Sequence, residues 1–268
     1  MRSPVLFNMG KTTGISWADA TVNFETGCTK VSAGCKYCYM FRDMARWNKD
    51  GSVVQRTSPG TFNAALKWKQ PEVIFTDSWS DFFHDGTADW MEEKWDVIRK
   101  TPQHLWLILT KRPENILKYL PADWGEGYPN VAIGVSVENQ ENANTRIPLL
   151  CAVPAKYRFL SCEPLLEEID LKLREHYLKI DWVIVGGESG NETGQYRYRP
   201  TEYEWIVSTV LQCMAMSVRV FVKQLGTYLA KEWKLKDRAG ADIDEWPQNI
   251  RVQEHIKDSF FNQSEHNG

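Results

Sequence analysis

From residue 73 onward the chain alternates between short runs that are apolar throughout and longer polar stretches with helical spacing. The runs are VIFTDS (73–78), LWLILT (105–110), VAIGVSV (131–137), RFLSCE (158–163), WVIVGG (182–187) and VRVFVK (218–223), starting 32, 26, 27, 24 and 36 residues apart. A strand without a polar face is buried on both sides, and this spacing leaves room for a crossover helix between each pair. Thr87 to Lys100 places its acids early and Arg99 and Lys100 last, the sense a helix dipole favours. PENILKYL opens on Pro113 at a first helical position. Thr201 and Glu204 read as a capping box ahead of Ile206, Val210 and Met214. With a less regular strand in TVNFETG (21–27), the pattern predicts an α/β fold, a partial (β/α) barrel of about six to seven parallel βα units. A doubly wound open sheet is the alternative. The barrel is expected over 1–230, with 231–268 as a C-terminal extension packed on it and a disordered tail from about 258, where the sequence turns polar.

Parallel α/β folds bind ligands at the C-terminal ends of their strands. Polar residues gather at those ends: Asp77 and Ser78, Thr110 and Lys111, Ser136 and Glu138, Ser161 and Glu163, then Gly186, Gly187 and Glu188. Any one of them reads equally well as a helix cap or loop residue. Five strand ends together mark a candidate binding edge.

Composition narrows the function. The 268 residues carry a net charge of −3, which excludes holding nucleic acid by bulk charge. The total hides an uneven distribution: Thr29 to Lys69 holds eight bases (Lys30, Lys36, Arg42, Arg46, Lys49, Arg56, Lys67, Lys69) against Asp43 and Asp50, with Trp47 and Trp68 between them. Such an arc suits phosphate tracking and base stacking, so a nucleic acid or nucleotide substrate is one reading and a solvated helix face the other. No apolar stretch of membrane-spanning length and no leader-like N-terminus occurs, so a cytoplasmic protein without a membrane partner is expected.

Six cysteines are too few for a disulfide scaffold, but Cys28, Cys35 and Cys38 form a CxxxxxxCxxC cluster after the first strand. The helix that follows is expected to turn Met40, Met44 and Trp47 inward. Zinc, an iron-sulfur cluster, a redox CxxC pair and plain core cysteines are the candidate readings. A closed zinc site wants four ligands, and the fourth would have to come from His84, His104 or Cys162 on distant strands. A redox pair would leave Cys28 without a role. A zinc-deaminase signature is excluded, because no HxE occurs and Gly34 rather than Pro precedes Cys35. Spacing alone does not separate zinc from iron and sulfur.

Three cysteines in the loop after the first barrel strand, with Tyr37 directly before the last, resemble the radical S-adenosylmethionine superfamily. The CxΦC half of that pattern is intact, while six residues rather than three separate the first two cysteines. More narrowly, ISWADATVNFETGCTKVSAGCKYCY, DSWSDFFH, LTKRPE, GVSVENQ, RIPLL, SCEPLL, DWVIVGGESG and FVKQLG resemble a divergent phage and prophage three-cysteine family, distantly allied to spore photoproduct lyase. The resemblance covers Ile15 to about Trp246 and implies an enzyme with a 4Fe-4S cluster on Cys28, Cys35 and Cys38 and S-adenosyl-L-methionine on the open iron. Reductive cleavage to a 5′-deoxyadenosyl radical, hydrogen abstraction from the substrate, and a reductant such as flavodoxin or ferredoxin follow from it. It also implies that Tyr37 packs near the adenine and that Ser136 and Glu138 meet the ribose. Asp77 and Ser78 would stand in for the methionine-binding segment; Glu163, Gly186 and Gly187 are expected cofactor contacts by their strand-end position alone, the glycines by letting backbone approach a ligand or else simply making a turn. Cys162, flanked by Ser161 and Glu163, is turned by strand parity toward the outer helices. Cys151 and Cys213 read as packing. The rival functional class is a non-catalytic zinc module that binds nucleic acid or protein.

Overall fold

The computed structural model describes residues 13–176 and 179–264. Seven parallel strands form one sheet in sequence order: β1 (Ala20–Val22), β2 (Val73–Thr76), β3 (Leu105–Thr110), β4 (Val131–Ser136), β5 (Tyr157–Cys162), β6 (Trp182–Gly186) and β7 (Arg219–Gln224). Helical crossovers join all of them except β5 and β6, where the described residues of the connection hold turns and no helix, contrary to the spacing-based expectation, and the sheet curls into a half-barrel. A separate two-residue ribbon pairs Glu25–Thr26 with Gln55–Arg56, so the irregular region after β1 is two elements rather than one strand. None of the helices among the described residues is long and apolar enough to cross a membrane.

Strand parity divides the core. Val73, Leu105, Leu107, Phe159, Trp182, Ile184 and Phe221 turn into the concave face, where Trp17 and Ile256 join them. Their neighbours Ile74, Trp106, Ile108, Ile133, Leu160 and Val183 pack under the outer helices. Gly134 lies on the inner side, where a Cβ would strike the Phe159 ring, so its bareness lets that ring fill the barrel. Cys162 sits in the outer cluster with Cys213, fully buried, as parity requires.

Four local expectations differ. Trp47 is exposed, because the helix Tyr39–Arg46 ends before it, although Met40 and Met44 are buried. In the helix Tyr203–Ala215, Met214 faces solvent and Cys213 takes the core position. At 100° per residue, eight positions past Ile206 overshoot its face by ~80° and seven fall ~20° short. No capping box forms at that helix either: buried Thr201 donates its hydroxyl to the Leu165 carbonyl at 2.9 Å instead. Finally, the tail expected to be disordered from about 258 holds a helix over Lys257–Ser264, because Phe260 and Phe261 find the inner cluster, a tertiary contact that local polarity hides, while 265–268 lie outside the described residues.

The last segment also covers the edge of the sheet. Val222 N donates to Val252 O at 2.9 Å and Glu254 N to Val220 O at 3.0 Å, alongside β7. His255 Nε2 meets Trp17 O at 2.8 Å, and the His255 ring lies 4.4 Å from Trp182. The two ends of the described chain thus meet beneath the barrel.

Candidate functional site

The C-terminal ends of the strands surround a cavity of about 310 Å³, within the range of small-molecule sites. Ile15, Trp17, Phe75 and Leu109 make its apolar floor, and polar residues from five strand ends form a ring above them. Cys28, Cys35 and Cys38 lie on its wall, as do Asp77, Ser78, Ser136 and Glu163. Tyr37, Glu138, Gly186 and Gly187 do not line it.

The cysteine loop is held from three directions. Arg112, directly after β3, donates Nη2 to Thr29 O at 2.8 Å and lies 3.7 Å from Cys28 Sγ through Nη1. Asp81 aligns that guanidinium at 3.0 Å and also accepts from Thr110 Oγ1 at 2.6 Å and Lys111 N at 2.9 Å. Glu138, fully buried, bonds Ser32 of the loop, Asn142 at 2.9 Å and Arg146 at 2.7 Å. Gly34 passes so close that any Cβ would overlap the Glu138 carboxylate. Glu138 therefore neither faces the cavity nor caps the next helix, a task Asn139 performs. From the far side Glu188 grips Arg199 through two oxygens, at 2.8 and 2.6 Å, and Arg199 Nη1 donates to Ala33 O at 2.9 Å.

Burial pushes the Cys28 thiol up to about 11 against the opposing pull of Arg112, and burial raises Cys38 as well. Lys111 is half-buried beside them, 3.0 Å from Ser136 Oγ. Burial lowers its pKa, but Glu138, Cys35, Cys38 and Asp81 together outweigh that and raise it. The local chemistry is thus thiols that a metal would deprotonate, beside cations that would offset the resulting charge.

Asp77 is distinctive. Its backbone sits at φ 53°, a left-handed conformation uncommon outside glycine. Oδ1 accepts from Phe24 N at 2.7 Å, while the buried Oδ2 has no hydrogen-bond partner among the described residues. Burial and the nearby Glu25 charge push its pKa well up. Ser78 spends its hydroxyl on Asn23 Oδ1 at 3.1 Å. Across the cavity, Glu163 and Lys223 form an ion pair of 2.9 Å that bridges β5 and β7 past Gly186. Gly187 is bare because a Cβ there would collide with the Leu225 carbonyl.

A family model described as a protein of unknown function, DUF5131, matches residues 12–259. The chain belongs to the DUF5131 family. No curated protein and no solved structure matches it significantly. For this DUF5131 chain the site therefore rests on its own geometry. Sequence reasoning missed Trp17, Tyr39, Asp81 and Lys223 on the wall; it put Lys111 on the candidate edge without giving it or Arg112 a role toward the cysteine loop. The signal for the last two was present in LTKRPE at a strand end, whereas nothing local marks Trp17.

Three cysteine thiols on one cavity wall are the donor set that an iron-sulfur cluster would use. Among the described residues no three His, Cys, Asp or Glu side chains gather around a single-ion position. A four-iron cluster does not ask them to, because each cysteine binds a different iron and the sulfurs spread along a wall. Asp77, on the same cavity, is held protonated by burial and by the neighbouring Glu25 carboxylate, and its Oδ2 becomes an acceptor only when a cation displaces that proton.

Proposed function

We propose that the chain is a radical S-adenosylmethionine enzyme, holding a 4Fe-4S cluster on Cys28, Cys35 and Cys38 and S-adenosylmethionine across the neighbouring strand ends. The observation that carries the reading is the placement of three thiols, with no histidine or fourth cysteine among the described wall residues, at the C-terminal mouth of a parallel half-barrel. Bound there, cluster and cofactor would supply one-electron reductive cleavage of a sulfonium and hydrogen-atom abstraction from a substrate, with the electron delivered by a flavodoxin or ferredoxin.

The chain's own residues supply the rest. Lys111 and Arg112 offset thiolate charge, and Arg112, fixed by Asp81, holds the Cys28 end of the loop. Asp77 Oδ2 offers an ammonium group its missing acceptor, and a docked amine would draw the Asp77 proton off by opposite charge. Ser136, already oriented by Lys111, presents a hydroxyl to a sugar or carboxylate. The floor of Trp17, Phe75 and Leu109 excludes water.

Anaerobic reconstitution tests the reading. About four irons and four sulfides per chain are expected, with 5′-deoxyadenosine released from S-adenosylmethionine after reduction, and Cys35→Ala should lose both. One zinc per chain and no brown chromophore would overturn it in favour of a zinc-binding interaction module.

A further inference from the structure

The basic arc of residues 29–69 does not survive intact in the fold. Trp68, with Lys67 and Lys69 beside it, lies at the opposite edge of the sheet, its carbonyl 3.1 Å from Gln103 Nε2 just ahead of β3. Arg56 is paired with Glu93 at 2.6 Å. What remains at the cavity mouth is the cysteine loop and the helix after it, and a second segment, 188–199, joins them through the Arg199–Ala33 hydrogen bond.

Cations and rings alternate where these segments meet. The Arg42 guanidinium carbon is 4.3 Å from the centroid of the Tyr196 ring, and Lys36 and Arg199 each stand 5.3 Å from that of Tyr37. Lys30 lies 4.9 Å from the ring of Phe41, itself on the cavity wall. Acids are present too: Asp43 pairs with Arg42, and Glu188 with Arg199. Lys30, Lys36 and Arg197 are exposed and form no ion pair among the described residues, so the rim keeps a positive excess.

We propose that this rim binds a single polynucleotide strand, with its phosphates on Lys30, Lys36 and Arg197, its bases against the Tyr37 and Tyr196 faces, and one unstacked base entering the cavity. The inference rests on the reading above only in taking the cavity as the reaction chamber. Unpaired bases expose the faces that rings and guanidinium planes stack on, whereas a duplex hides them. A cavity of about 310 Å³ admits a base turned out of its strand and no double helix. An acidic protein would use the charges and leave the ring faces unused.

Fluorescence anisotropy with labelled oligo(dT) and oligo(rU) of about 12 nucleotides, a length within the usual site size, tests this on the full chain without metal or S-adenosylmethionine. Binding of at least one of the two is expected, and the pair identifies the sugar preference. Lys36→Glu with Arg197→Glu should weaken affinity about tenfold or more and flatten the salt dependence by about one unit of slope. Tyr196→Leu should weaken binding with the salt slope unchanged. Lys156→Glu, before β5 at the opposite edge, should change nothing. Absence of binding, or affinity indifferent to the rim variants, overturns the proposal. Competition by polyglutamate as effective as by oligonucleotide, with Tyr196→Leu silent, overturns it in favour of an acidic protein partner. Because no cofactor is present, a failure here leaves the iron and sulfide analysis untouched, and the reverse also holds.

Discussion

Asp77 brings a carboxyl group into a place that resists its charge. Burial first, and the Glu25 carboxylate next, lift its pKa well above the ordinary value. Between the unfolded value near 4 and that raised value, the folded protein binds a proton the unfolded chain has released, so stability falls as pH rises through this window. Asp77→Asn keeps the shape and tolerates the left-handed backbone but has no proton to lose. The expected outcome is a variant whose melting temperature, relative to the parent, improves from pH 5 to pH 8, measured by thermal unfolding without ligand. An unchanged difference across that range would mean that Asp77 is not the group responsible. Residues of this kind were partly legible in the sequence. Asp77, Ser136 and Glu163 could be placed at strand ends by parity alone, because alternation fixes which side chain faces inward. Glu138 could not be read in the same way: whether a carboxylate faces a cavity or braces a loop 106 residues away is decided by Ser32 and Gly34, and no local pattern encodes that.

At the scale of elements, the six long strands are found within one or two residues of their apolar runs, because a strand buried on both faces leaves an unmistakable signature. The weak points are where one element ends on another. Trp47 and Met214 follow a helical periodicity that the fold does not keep, and Thr201 gives its hydroxyl to a tertiary partner instead of a cap. The same lesson holds for the edge strand β7, whose outer hydrogen bonds go to residues 252–254, a stretch with no strand signal of its own. A chain shortened after Arg251 should therefore expose an unpaired, largely apolar edge and associate through it. Light scattering and size-exclusion chromatography would reveal this as concentration-dependent aggregation, and a monodisperse shortened protein would contradict the role assigned to the segment.

For the whole molecule, the fold class came through in the sequence because repeated strand-and-helix spacing admits few architectures. How the half-barrel is closed did not. Trp17 lies outside every strand, yet it packs edge-on to Phe75 at 4.7 Å and to Trp182 at 6.2 Å and forms part of the cavity floor. Trp17→Ala should cost about 3–5 kcal/mol, the usual range for emptying a buried aromatic position, and should loosen the site as well as the core. Denaturant unfolding gives the first quantity, and the iron content after reconstitution gives the second. A loss below about 1 kcal/mol would show that the floor is closed by other residues. Charge distribution belongs to this scale too. A net of −3 conceals a positive rim at the cavity mouth that two distant segments assemble, and that rim exists only once the chain is folded.

The contact between His255 and the Trp17 carbonyl spans 238 positions of sequence. During synthesis the amino-terminal partner leaves the ribosome long before the histidine that secures it. Until the final segment emerges, the underside of the barrel has no latch, and the cavity can neither dry nor hold a fixed volume. Closure of the cavity floor therefore waits on residue 255, so an early and a late part of the described chain must both be present before the cavity takes its shape.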